Sequence, residues 1–192
     1  MATTCTTKIS AGLDASCLAL DKIGGVEKTI YFGNLSEITF TENGAAYIDG
    51  VTLTASPAAF LYKFVGKTKK HMTGNDLQVG ANTNTWKQAV TAKLNYFYPS
   101  ERSAIEALCN ADDLVAFVQM ASGLFEVYGY AKGIRCESAK DSSGVLINDD
   151  TSITIVISGE ETELPKVLQL GAALPGEAAY LTQNIDALDL LC

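Results

Sequence analysis

Histidine is almost missing from this chain: the 192 residues hold one, His71, alongside one tryptophan and four prolines. Five cysteines, Cys5, Cys17, Cys109, Cys136 and Cys192, stand far apart and form no C-x-x-C pair. A zinc or iron–sulfur centre therefore has almost no ligand set to draw on, and free thiols behaving as small hydrophobes are the expectation. No G-x-S-x-G, no phosphate loop ending in Gly-Lys-Ser/Thr, no H-E-x-x-H and no dinucleotide fingerprint occurs. Neither a catalytic residue nor a metal or cofactor is expected, and His71, set in a lysine-rich segment between glycines, reads as a solvated side chain.

Positive charge is also scarce. The 14 basic residues against 22 acidic ones leave a net charge of -8, the wrong sign for gripping phosphate backbones. No apolar run approaches the roughly 18 residues of a membrane span. The opening MATTCTTKIS lacks the charged head and apolar stretch of a signal peptide, so synthesis in the cytoplasm is expected and a disulfide framework is not.

Apolar residues, by contrast, make up 47% of the chain and charged ones 19%, enough to fill one core and leave apolar surface for contacts with other chains. Residues 1–27 are small and weakly patterned and read as an N-terminal arm. Short β-type runs follow over 28–54, punctuated by Gly33-Asn34, Asn43-Gly44 and Asp49-Gly50, pairs that accept the positive φ of tight turns; the segment reads as a β-meander. Residues 59–65 give another strand, and 66–76, glycine-flanked and without period, read as a long exposed loop.

Over 84–98 the pattern is clear. Trp86, Val90, Leu94 and Tyr96 fall on even positions, and Lys87, Thr91 and Lys93 on odd ones, the alternation of a strand with one buried face. Residues 100–109 form the single helix, started near Pro99 and Ser100 or by a box of Ser103 and Glu106. Asn110 closes it in the left-handed conformation. Its stripe of Ala104, Ile105 and Leu108 is expected to lie on a sheet. A hairpin follows over 112–120 and 124–130, and its run Leu114-Val115-Ala116-Phe117-Val118 demands cover on both faces. Strands at 133–138 and 151–158 complete a mainly β (α+β) domain over 28–164, an antiparallel β-sandwich or incomplete barrel with one flanking helix. Residues 165–192 read as an irregular tail.

The acidic pairs Asp112-Asp113, Asp149-Asp150 and Glu160-Glu161 sit at strand ends. Neighbours on a strand point to opposite faces, so no pair converges on one substrate atom, and solvated turn charges are expected. Lys67, Lys69, Lys70 and His71 form the one dense basic cluster. Too short and too poor in aromatics for nucleic acid, it suits a contact with an acidic surface on an identical neighbour, or simple solvation.

The order of these elements resembles the tail tube proteins of long-tailed phages, with the helix text Pro99-Ser-Glu-Arg-Ser-Ala-Ile-Glu-Ala-Leu-Cys-Asn110 and the hairpin Asp113-Leu-Val-Ala-Phe-Val-Gln-Met120 to Phe125-Glu-Val-Tyr-Gly-Tyr130. With the strand Thr151-Ser-Ile-Thr-Ile-Val-Ile-Ser-Gly-Glu-Glu161, it is similar to tube-like proteins of Bacteroidetes phages and prophages over about residues 28–164. The resemblance implies a non-enzymatic virion subunit, made and assembled in the host cytoplasm, whose six-membered rings stack into a DNA-conducting tube. Its implied partners are itself and other tail proteins, with DNA only as passing cargo and no membrane span. An acidic wall suits that cargo, since it repels a sliding genome. A capsid decoration or head–tail connector protein has the same β-rich, acidic character. A small-molecule binding module is the alternative from another class and needs a pocket with convergent polar groups.

Overall fold

The computed structural model of the chain describes residues 25–43, 47–53, 61–66, 70–80, 83–95, 99–121, 124–142 and 152–168. The strands are β1 (Val26–Asn34), β2 (Ile38–Asn43), β3 (Tyr47–Leu53), β4 (Tyr62–Val65), β5 (Met72–Val79), β6 (Asn84–Leu94), β7 (Leu114–Met120), β8 (Phe125–Tyr128), β9 (Arg135–Ser142), β10 (Ser152–Glu161) and β11 (Lys166–Leu168). One helix, α1 (Pro99–Asn110), separates β6 from β7. The strands form a seven-stranded sheet in the order β2-β3-β11-β8-β7-β1-β4 and a four-stranded sheet in the order β5-β6-β10-β9. Pairing is antiparallel throughout except where β11 runs parallel to β3. The fold is a mainly β sandwich with a flanking helix, and neither sheet closes into a barrel.

The larger sheet is apolar on both faces because β7 is. Leu114, Ala116 and Val118 point toward the smaller sheet and join Ile30, Phe32, Val90, Ile155 and Ile157 in the main core. Val115 and Phe117 point the other way and join Ile38, Ile48, Val127 and Leu168 in a second core. Cover for that second face comes from the sheet itself, which curls until Phe40 of β2 reaches Phe117 of β7 with ring centroids 6.2 Å apart. Each large side chain so buried stabilises the fold by about 1.5–3 kcal/mol.

The helix carries Ile105 and Leu108, 6% and 5% exposed, onto the main core as expected. Ala104 is exposed instead of joining that stripe, and Ser103 and Glu106 lie inside the helix rather than at its start. Asn110 remains helical, and the positive φ of 54° falls on Asp113, where the chain turns into β7.

Several segments differ from the sequence reading. Residues 28–54 are no meander: β2 and β3 form a hairpin, but β1 sits between β7 and β4, four strands away from β3. Asp49-Gly50 is no turn either. Thr41 faces Gly50 and Glu42 faces Ile48, so Asp49 is the extra residue of a bulge within one continuous strand. Lastly, Lys166–Leu168 is a strand wedged between β3 and β8, with Leu168 2% exposed, so the supposed irregular tail begins with core structure. The supposed arm likewise ends in structure, since Val26 is buried at the start of β1. Residues 1–24 and 169–192, Tyr96, and the acidic pair Asp149-Asp150 lie outside the described residues.

Candidate assembly surface

Strands β5 and β6 make a long hairpin, in register from Met72 opposite Thr91 to Val79 opposite Asn84, with the Gly80 N–H donating to the Thr83 carbonyl at 3.1 Å. The expected exposed loop over 66–76 is thus partly strand: Gly66 bridges to Leu94, and β5 begins at Met72. Alternation fixes the inner face of β6. Gln88, Val90, Ala92 and Leu94 are buried at 0%, 0%, 0% and 3% exposure, while Lys87, Thr91 and Lys93 on the other face are half-buried. Opposite residues of an antiparallel pair share a face, so Leu77 and Val79 lie on the inner face with Trp86. Among the described residues, no core cluster includes them at that end. Trp86 is half-buried, Leu77 is 48% exposed and Val79 78%.

Exposed apolar groups gather on sheet edges. Among the described residues, Met72, Leu77 and Val79 stand on the edge strand β5 and Tyr62 and Val65 on the edge strand β4. Beside β4, an apolar groove of about 320 Å³ opens between the sheet and α1, lined by Phe32, Tyr62, Phe64, Ala104, Ala107 and Leu108. Unpaired edges with apolar side chains are what natural sheets normally blunt with charge, proline or a covering element.

At the base of the hairpin stands His71, which is 6% exposed and not the solvated loop residue the sequence implied. Its Nδ1 accepts the Lys93 N–H at 3.2 Å, so the proton sits on Nε2, which donates to the Lys28 carbonyl at 3.0 Å. The ring therefore staples β1 of one sheet to β6 of the other. Gly66 must be glycine for this to happen, since a Cβ there would stand 2.4 Å from the imidazole Cε1 and 2.3 Å from the Lys93 carbonyl oxygen. Burial holds the imidazole below its usual pKa, against the opposing pull of the Lys28 hydrogen bond. With both nitrogens committed to backbone, His71 is not placed to act as a base. It is also no part of a basic contact surface. Lys70 is exposed, and Lys67 and Lys69 lie outside the described residues.

A buried polar seam locks the two sheets together at the other side. The Gln88 amide donates from Nε2 to the Glu163 carbonyl and accepts the Gly129 N–H at Oε1, both at 3.0 Å. Glu161, 0% exposed, accepts the N–H groups of Ala131 and Lys132 on Oε1, at 3.1 and 2.7 Å. Its Oε2 has no hydrogen-bond partner. This overturns the expectation that Glu160-Glu161 is a pair of solvated charges: Glu160 is exposed, Glu161 is core. The 129–133 turn it clasps needs glycine at both ends, with φ of 74° at Gly129 and 79° at Gly133. Nearby, the buried Lys166 ammonium pairs with Glu42 at 2.8 Å and lies 4.4 Å above the Tyr130 ring. Burial alone would lower its pKa, but the contacts with Glu42 and Tyr130 outweigh this and raise it. Tyr128 is likewise held above the usual phenol range, by burial and by its hydrogen bond to Glu126.

Sequence reasoning missed Gln88, Glu161, Lys166 and the staple at His71. For two of them the signal existed. Gln88 occupies an even, inward position of β6, and Glu161 continues the inward series Ile153, Ile155, Ile157 of β10. Among the described residues no group of three or more His, Cys, Asp or Glu is placed to hold a metal ion, and no helix is long and apolar enough to cross a membrane. No family model, curated protein or solved structure matches the chain.

Proposed function

We propose that this protein is a structural subunit that assembles with copies of itself, in the manner of a phage tail tube, into rings that stack around a DNA-conducting channel. The observation that carries this reading is the uncovered inner face of the β5–β6 hairpin. Trp86 on β6 and Leu77 and Val79 on the edge strand β5 continue a core face past the end of the core, and among the described residues no strand pairs with the outer edge of β5. A second copy laid against it supplies both missing things, apolar cover and strand pairing. The net charge of -8 supports a channel that lets DNA slide rather than holding it.

Virion localisation and contact with other tail proteins belong to the same proposal. So does a stacking role for Lys67, Lys69 and Lys70 against an acidic neighbour, now without His71. Negative-stain electron microscopy of the purified chain is the test. Hollow filaments or rings are the expected result; a uniform field of single small particles at high protein concentration contradicts the reading. Replacing the three lysines with glutamate is expected to shorten filaments without unfolding the subunit, and filaments of unchanged length remove those lysines from the contact.

A further inference from the structure

We propose that Cys109 and Cys136 form a redox-active thiol pair, which a small-molecule disulfide converts into an intramolecular bond tying α1 to the edge strand β9. Two independent pieces of geometry place the residues on the core side of two elements that touch each other. On the helix, Cys109 follows Ile105 by four positions and Leu108 by one, which puts it beside the two residues that bury the helix face. On the sheet, Cys136 stands directly opposite Ile157 of β10, and opposite residues share a face, so it points to the core side with the fully buried Ile157. Both cysteines pack against the main core as partly buried free thiols, α1 and β9 are in contact, and Cys136 lies near enough to Cys109 to push its thiol pKa up.

A bulge and a groove flank Cys136. Val156 faces Ser138 and Ile157 faces Cys136, which makes Glu137 the extra residue; its carboxylate accepts hydrogen bonds from Lys87 and Ser158. Together with Lys132, Arg135 and Asp112, these residues line an open polar groove of about 760 Å³ that reaches Cys136 but not Cys109. Cys136, on the edge strand β9 beside this groove, is assigned the first attack, and Cys109, on the helix, the second. Burial, with Cys136 as neighbour, pushes the Cys109 thiol up to about 11, which keeps it protonated until the second step.

The chemistry closes without further reagents. Cys136 gives its proton to water and its Sγ attacks one sulfur of the small disulfide, breaking that S–S bond; the departing thiolate takes up a proton. Cys109 then loses its proton and attacks Cys136 Sγ, expelling the second small thiol. The protein loses two protons and two electrons, and the oxidant is reduced to two thiols.

The test treats the full chain with oxidised glutathione at mildly alkaline pH and, separately, with excess dithiothreitol, followed by peptide mass mapping and thermal unfolding. A peptide pair joined through Cys109 and Cys136, two hydrogens lighter than its reduced form, is expected, with a Tm roughly 5–15 °C above that of the reduced protein. Cys109→Ser is expected to stop at a glutathione adduct on Cys136 with no rise in Tm. Because the mapping uses the unaltered chain, it does not depend on that variant folding. Separate glutathione adducts on both residues, or bonding of either to another cysteine, overturn the proposal. So does retention of both free thiols while the chain's other cysteines react.

Discussion

Strand β6 passes through two environments with one pattern. From Gln88 to Leu94 its inward residues are sealed between two sheets, whereas at Trp86, and at Leu77 and Val79 on the paired strand β5, the same face continues into solvent. The alternation is equally regular in both halves, so periodicity records which way a side chain points and not whether anything covers it. The sealed half makes a stable domain. The open half is the part whose apolar character is left without use in one copy.

Truncation of side chains sharpens that contrast most. Phe117→Ala, inside the second core, is expected to cost about 3–5 kcal/mol, whereas surface changes such as Leu77→Ala usually stay within about 0.5 kcal/mol. Urea unfolding of the dilute, unassembled chain measures both. Equal losses at the two sites would show that the hairpin end is already covered within a single copy.

The polar seam provides the next test, because it bounds the sealed half. Glu161→Ala leaves the Ala131 and Lys132 N–H groups buried without their acceptor, at about 1–3 kcal/mol for a group left unsatisfied. Glu161→Gln keeps an oxygen for them and is expected to cost less. If the two variants unfold together, the clasp on the 129–133 turn contributes little.

The smallest effect concerns the staple at the hairpin's base. The pKa of His71 in the folded chain lies below its ordinary 6.5, so the neutral ring belongs to the native state. Its contribution is complete above about pH 6.5 and declines as the pH falls from there toward the folded value, because only the unfolded chain takes up the proton. One proton limits the slope to about 1.4 kcal/mol per pH unit. Unfolding midpoints measured between pH 7.5 and 5 are expected to lose this slope in His71→Gln; an unchanged pH profile would remove His71 from the linkage.

These sites differ in how openly the sequence announces them. The inward set Val90, Leu94, Ile105 and Leu108 was legible because alternation and helical spacing repeat over several residues, and the double cover of 114–118 followed from its unbroken apolar run. Gln88 and Glu161 obey the same alternation, but a polar residue at an inward position invites the assumption that the strand has ended. His71 gave no signal: its burial depends on backbone groups 43 and 22 residues away and on the room left by Gly66. The insertion of β11 between β3 and β8 was equally hidden, because three residues carry no period and the pairing is set by distant strands. Long-range topology was the part that local pattern did not encode, which is why β1 appeared to begin a meander when it sits across the sheet.

Assembly as proposed requires another copy of the chain to cover the open half of β5–β6. Sedimentation velocity over a concentration series, comparing the unaltered protein with Leu77→Asp/Val79→Asp, addresses it directly. The unaltered chain is expected to move from monomer into larger species as concentration rises, while the double variant stays monomeric with its fold intact. A single monomeric species for the unaltered chain at every concentration, or assembly that the two aspartates leave untouched, would contradict it.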